Sequence, residues 1–285
     1  MPHPNPTTPS PAPRRATLAS ALALPALLLA GLPARADWSL LNMPVGVTPV
    51  SREVYDLHML ILWICTIIAV ATFGAMAYAL VAFRKSKGAV ADTNMTHSTA
   101  AEIIWTVIPV VILVFMAFQA APALIRIEDT RNSEMTIKIT GYQWKWEYEY
   151  LNEGVSLFSS LAADSNAARR KNAGIDPRSV ENYLLEVDEP LVVPAGVKIR
   201  YLITANDVLH AWWVPDFAVK RDAIPGYVNE GWFQVDEPGI YRGQCAELCG
   251  KDHGFMPVVV KVVPKAEFDA WLAARKAPAA VAAAN

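Results

Sequence analysis

Gly243-Gln244-Cys245-Ala246-Glu247-Leu248-Cys249-Gly250-Lys251-Asp252-His253-Gly254-Phe255-Met256 puts two thiols, an imidazole and a thioether into one short segment. β-rich runs flank it, Ile240–Gly243 before and Pro257–Val263 after. A second imidazole, His210, lies upstream in Asp207-Val208-Leu209-His210-Ala211-Trp212-Trp213-Val214-Pro215. Thiolate and thioether are soft donors that suit copper or zinc, and imidazole suits either. Met256 favours copper, because zinc sites use Cys, His, Asp and Glu. Two His, one Cys and a weak axial Met make a mononuclear copper set. One cysteine is then left over, and its economical use is to bridge two copper ions. Other readings stay open for single residues: a disulfide between Cys245 and Cys249 in an oxidising compartment, and packing for a lone His or Met.

Outward from this segment, β-rich runs recur at Met135–Thr140, Tyr142–Tyr150, Leu191–Val193, Val197–Thr204 and Gly231–Val235. Glu189-Pro190, Pro194-Ala195-Gly196, Pro225-Gly226 and Glu237-Pro238-Gly239 separate them as turns. Short strands with regular turns predict a sandwich or barrel over residues 127–264. Ser156–Asn182, with Ala-rich runs and Arg169-Arg170-Lys171, reads as a surface insertion with some helix. Beyond Pro264, residues 265–285 are expected to form a short helix over Lys265–Lys276 and a mobile tail over Ala277–Asn285. Residues 127–264 hold twenty Asp/Glu and fourteen Lys/Arg, so this domain is more acidic than the whole chain at −2. Such a surface attracts a basic partner; ordinary solubility explains it as well.

The remainder is too apolar for a soluble chain. Hydrophobic residues make up 53% and charged residues 18% of 285, against about 25% charged in a typical soluble domain. Mean hydropathy is +0.24. Disorder is excluded, since it needs low hydrophobicity and high charge. A net charge of −2 argues against a nucleic-acid binder. Three cysteines are too few for a disulfide scaffold.

Three charge-free runs hold the excess. Ala16–Pro33 follows Arg14 and Arg15 and leads to Ala34-Arg35-Ala36, which predicts a signal peptide over 1–36, cut after Ala36; a third membrane span is the alternative. Met59–Phe83 and Ile103–Ile125 are each long enough to span a bilayer as helices, within a segment 37–126. The connection between them begins Arg84-Lys85-Ser86-Lys87, so it faces the cytoplasm, and everything after Arg126 is exported. Thr99-Ala100-Ala101-Glu102 fits a capping box with Thr99 at the N-cap.

The ligand spacing C-x₃-C-x₃-H-x₂-M, the upstream His210, the helical hairpin and the run Gly141-Tyr142-Gln143-Trp144-Lys145-Trp146-Glu147-Tyr148-Glu149-Tyr150 together resemble subunit II of the haem–copper cytochrome c oxidases. The resemblance covers nearly all of the chain after residue 36. It implies a two-helix transmembrane hairpin followed by an all-β cupredoxin-like Greek-key barrel. It implies a dinuclear copper A centre bridged by Cys245 and Cys249, with His210 and His253 on one copper each, Met256 as weak ligand and Glu247 binding through its carbonyl. It further implies a magnesium ion shared between Glu247 and subunit I, electron entry from cytochrome c at Trp144, and Glu102 at the mouth of a proton pathway. Glu149, Asp207 and Asp222 are similar in placement to acids that dock the cytochrome. Tyr142 and Lys145 depart from the family pattern of His and Tyr there, and Lys145 adds a positive charge to a face meant for a basic partner.

The expected function is therefore the electron-entry subunit of a cytochrome c oxidase in a bacterial inner membrane, with its copper domain in the periplasm. Subunits I and III, cytochrome c and lipid are the expected partners, and nucleic acid is not. Two other classes compete: a quinol oxidase subunit II that has lost copper, against which the intact ligand set speaks, and a membrane-anchored copper carrier or sensor, which gives Trp144 and Glu102 no purpose.

Overall fold

The computed structural model describes residues 41–88, 90, 93–94 and 96–283. The expected leader and its cut after Ala36 lie outside them. Helix α1 runs Pro49–Ala82 and helix α2 Thr99–Ile127, both long and apolar enough to cross a membrane. Helix α1 starts well before its charge-free run because a capping box stands there. Thr48 Oγ1 accepts from the Ser51 amide and Ser51 Oγ from the Thr48 amide, each at 2.9 Å, and Pro49 fills the first turn where no donor is needed. Helix α2 is capped by Ser98, whose hydroxyl faces the Ala101 amide at 3.5 Å. This corrects the reading of Thr99 as N-cap: two hydroxyls stand side by side, and the helix starts one residue earlier. Glu102 remains in the first turn, where the helix dipole favours an acid.

Ten strands follow: β1 Met135–Tyr142, β2 Lys145–Tyr150, β3 Val155–Ser159, β4 Leu191–Pro194, β5 Ile199–Ala205, β6 His210–Val214, β7 Val219–Ala223, β8 Asn229–Phe233, β9 Gly239–Cys245 and β10 Pro257–Val263. They form two five-stranded sheets, β3-β2-β1-β5-β8 and β4-β10-β9-β6-β7. The expected hairpin and all-β cupredoxin-like domain are thus present, the strands set as two sheets that share one core. Pairing is parallel in β1/β5 and β4/β10 and antiparallel elsewhere. Strand period explains the core. In β2 the aromatic rings of Trp146, Tyr148 and Tyr150 point inward, while Lys145, Glu147 and Glu149 alternate with them. Trp212 of β6, Phe233 of β8 and Phe217 of the 3₁₀ turn after β6 belong to the same buried cluster.

Three strands escape the sequence reading. β3 was assigned to the surface insertion, yet Val155, Leu157 and Ser159 face the core in alternation. β6 hides in the run around His210. β7 carries Lys220, Arg221 and Asp222 because it is the outermost strand of its sheet, where charge blocks edge pairing. The excursion that remains, between β3 and β4, contains one short helix, α3, Ala163–Ala168. The last helix, α4, runs Lys265–Ala283, so the expected tail continues the helix up to Ala283. Phe268 and Leu272 of α4 are buried, and Phe268 and Trp271 lie against Tyr150.

The hairpin is tied to the sandwich at the C-terminal end of α2 and the N-terminal end of α1. Trp232 Nε1 donates to the Arg126 carbonyl at 3.0 Å, and Arg221 pairs with Glu128 at 2.8 Å. Thr48 Oγ1 donates to the Phe217 carbonyl at 3.0 Å, and the Val47 amide to that of Asp216 at 2.9 Å. Arg126 also pairs with Glu53, joining the two helices.

Candidate metal centre

Sheet register brings the first two donors together. β6 and β9 pair antiparallel with Trp212 opposite Cys245, so His210 at the start of β6 stands beside the end of β9. The Ala246 amide donates to the Ala211 carbonyl at 2.9 Å and extends that contact. His210 Nδ1 lies 3.9 Å from Cys245 Sγ. Its Nε2 is 2.9 Å from Asp207 Oδ1, which fixes the ring and leaves Nδ1 turned to the sulfur. Asp207 is fixed in turn, since its other oxygen accepts the Gln143 amide at 2.7 Å. A carboxylate behind a histidine is how proteins orient imidazole ligands. Gly141 lies against the same ring, where a Cβ would come 2.8 Å from His210 Cδ2, so only glycine lets β1 pass this close.

The chain beyond β9 supplies the rest. Cys249 Sγ is 3.8 Å from Cys245 Sγ, and His253 Nδ1 is 3.5 Å from Cys249 Sγ. The result is a row of donors, His210, Cys245, Cys249 and His253, with an imidazole at each end. His210, Cys245 and Cys249 form one cluster with ligand atoms within 4.8 Å of one another. His253 stands beyond it, next to Cys249. The Glu247 carbonyl faces Cys245 Sγ at 3.4 Å, while its side chain is exposed. Met256 is buried, and its carbonyl accepts the Cys245 amide at 3.0 Å, closing the base of the loop. Both cysteines are free thiols, so the disulfide alternative is not the arrangement seen.

Electrostatics separates the two thiols. Burial opposes the Cys245 thiolate, but hydrogen bonds from His210, from backbone and from His253 outweigh it and bring the pKa to about 7. Cys249 is pushed up to about 12 by burial and by the neighbouring Cys245 charge. One thiolate is therefore ready for a metal at neutral pH, and the second needs a cation beside it to lose its proton. Two soft sulfurs flanked by two imidazoles, in a buried pocket, fit copper.

Trp144 is half-buried at this rim, and its Nε1 donates to the Cys249 carbonyl at 3.2 Å. Gln143 Nε2 donates to the same carbonyl at 2.8 Å. The other expected residues lie apart from the donor row. Glu149 pairs with Lys138 on β1. Asp222 is exposed on β7 opposite Ala211. Glu102 is at the far end of α2, roughly 37 Å along the axis from Ile127 at 1.5 Å per residue. The sequence reading offered Asp207 only as an acid that docks the cytochrome. Its spacing of three residues from His210 was the available signal for its second task.

Comparison with known proteins gives the family of the chain. The family model for the periplasmic domain of cytochrome c oxidase subunit II matches residues 135–263, and that for its transmembrane domain matches residues 36–122. The probable cytochrome c oxidase subunit 2 of Rickettsia bellii is 38% identical over 234 residues, covering 82% of this chain and 83% of that protein. Cytochrome c oxidase subunit 2 of Cereibacter sphaeroides is 36% identical over 235 residues, with 80% and 77% covered. Among solved structures, the periplasmic domain of subunit II of cytochrome oxidase from Bradyrhizobium japonicum is 42% identical, covers 52% of this chain and 96% of its own, and has a TM-score of 0.44. With both halves matched and relatives aligned over most of their length, this chain belongs to the cytochrome c oxidase subunit II family.

Proposed function

We propose that this subunit of an oxidase complex takes electrons from cytochrome c at a dinuclear copper A centre. The observation that carries the reading is the row of four donors, with His210 beside Cys245, the two sulfurs 3.8 Å apart and His253 beside Cys249. Two sulfurs and two imidazoles are donors enough for a pair of coppers. Cys245, Cys249, His210 and His253 would hold that pair, with Met256 and the Glu247 carbonyl as further donors. When bound, the copper pair supplies a one-electron carrier.

The chain's own residues prepare that chemistry. Buried Met256, Trp146 and Trp212 exclude water, and Asp207 holds His210 in the tautomer that presents Nδ1. Trp144 offers an entry path: its half-buried ring is one hydrogen bond from the peptide of Cys249. Glu149, Asp207 and Asp222 remain the acids proposed to meet a basic cytochrome, with Asp207 serving the histidine as well. The outward carboxylate of Glu247 is proposed to share a magnesium ion with subunit I, and subunit III completes the proposed assembly. Glu102, at the other end of α2, is proposed to serve a proton pathway. The basic connection Arg84-Lys85-Ser86-Lys87 supports a bacterial inner-membrane location with the sandwich in the periplasm.

The test is copper analysis and EPR on the purified full chain. Two coppers per chain and a mixed-valence spectrum are expected. A single copper, or cysteines recovered as a disulfide after metal loading, would sink the reading in favour of a carrier or sensor.

A further inference from the structure

The two terminal imidazoles are supported differently. Behind His210 stands Asp207. Among the described residues no carboxylate hydrogen-bonds the His253 ring. His253 sits in a single 3₁₀ turn, His253–Phe255, outside both sheets. Its amide donates to the Gly250 carbonyl at 3.2 Å, and the Phe255 amide to that of Asp252 at 2.9 Å. These are local bonds, and a turn this short does not hold a ligand rigidly by itself.

The missing support comes from the excursion between β3 and β4. Arg169, the first of the basic run Arg169-Arg170-Lys171, caps the C-terminus of α3. It is turned inward, while Arg170 and Lys171 are exposed. Its two terminal nitrogens donate to the two oxygens of Asp252 at 3.1 and 3.3 Å. The plane of the guanidinium lies 4.3 Å from the centre of the Phe255 ring. Nε donates to Asn166 Oδ1 at 2.8 Å, which fixes the fork from behind. Asp252 precedes His253 and Phe255 ends the turn, so one arginine grips both ends of the segment that carries the ligand.

The arginine is itself on a fixed base. The neck of the excursion is closed by a bridge between Leu161 and Val187 and by the Ala162 amide on the Glu186 carbonyl at 3.0 Å. Glu186 pairs with Arg242 of β9 at 2.6 Å, and Ser165 Oγ accepts the Leu184 amide at 3.1 Å across the excursion. The excursion is therefore braced to the strand that leads into Cys245.

We propose that Arg169 is a positioning residue for the metal centre, clamping the His253 turn through Asp252 and Phe255 so that the second imidazole stays against Cys249. The inference rests on the copper reading above. It gives the excursion a purpose: it ties the loop half of the centre to β9, which carries the other half. Lysine cannot replace the clamp in full, because it has neither the planar face nor the two-pronged fork.

The experiment uses the full chain with Arg169→Ala, Arg169→Lys and, as control, Arg170→Ala. Amide hydrogen exchange is followed in the metal-free chain, and copper release to a chelator and the EPR spectrum in the loaded chain. For R169A, exchange should quicken over residues 250–256 while β4 and β10 stay protected. Its copper should leave faster by about tenfold, the lower range for loss of a residue supporting a ligand, with altered hyperfine splitting. R169K should fall between R169A and the parent, and R170A should match the parent. Unchanged exchange and release in R169A would overturn the clamp. Should R169A fail to fold, an R169K chain indistinguishable from the parent would overturn it as well. A parent chain that takes up no copper defeats the copper reading itself, and this role with it.

Discussion

The candidate centre has a strand half and a loop half, and the two are built by different means. His210 and Cys245 sit at the ends of paired strands, are buried, and inherit their positions from sheet register. Cys249, His253 and Met256 come from the chain between β9 and β10, and His253 is only partly covered. The strand half is paid for by folding the whole sandwich. The loop half needs extra fastenings: the Trp144 and Gln143 bonds to the Cys249 carbonyl and the Arg169 grip on the His253 turn.

The severest way to break the comparison is to remove a sulfur that both halves use. Cys249→Ser deletes the loop's bridge and leaves His210 and Cys245 in place. The expected outcome is complete loss of the mixed-valence EPR signal and at most one copper per chain by metal analysis. If two coppers and the signal persist, the loop half is not needed and the division fails. Next comes a pair of glycines. At Gly141 a new Cβ would stand 2.8 Å from the His210 ring, which is fully buried and bonded to Asp207. Gly141→Ala should therefore cost about 1–3 kcal/mol as overpacking, read from denaturant unfolding, and should weaken copper uptake. At Gly254, in the loop half, a Cβ meets nothing within 4 Å. Gly254→Ala should change neither property, and equal losses at both positions would erase the contrast.

This division also governs what could be read from the chain alone. Cys245, Cys249, His253 and Met256 are close in sequence, and soft donors so close together carry their chemistry openly. The hairpin was legible for a similar reason, since lipid demands long charge-free runs. His210 joins them in the sequence as a second imidazole, but that it faces Cys245 follows from strand pairing across the sheet, which leaves no local trace. Charged Lys220, Arg221 and Asp222 disguised an edge strand, and Val155–Ser159 was lost among polar neighbours. Arg169 was noticed only as part of a basic run. Its partner Asp252 is 83 residues away, and nothing in either residue's surroundings announces the other.

Smaller effects sharpen the comparison without destroying the site. Asp207→Asn keeps the shape but removes the charge behind His210, so copper affinity should fall by about 10–100-fold in competition with a chelator. No change would mean that the strand positions the imidazole unaided. Trp144→Phe removes the hydrogen bond to Cys249 and the indole but no donor. Copper content should be unchanged while electron entry from cytochrome c slows in stopped-flow traces. Unaltered entry kinetics would remove Trp144 from the path, and lost copper would show that the Gln143 bond alone does not fasten the Cys249 peptide.

The mildest test concerns the floor beneath the strand half. Burial raises the pKa of Tyr148, Tyr150 and Tyr201 above the usual 10. Tyr148 accepts from Trp212 Nε1 at 3.2 Å, directly under the β6–β9 contact. Each phenol ionises more easily unfolded than folded. Its neutral form therefore adds stability that is fully present below pH 10 and is lost as the pH climbs toward the raised value. In an ultraviolet titration the three buried rings should ionise only together with unfolding, at higher pH than 10 and cooperatively. If these three titrate smoothly near pH 10 while near-ultraviolet circular dichroism is unchanged, the floor admits water, and the strand half is no more rigid than the loop it is contrasted with.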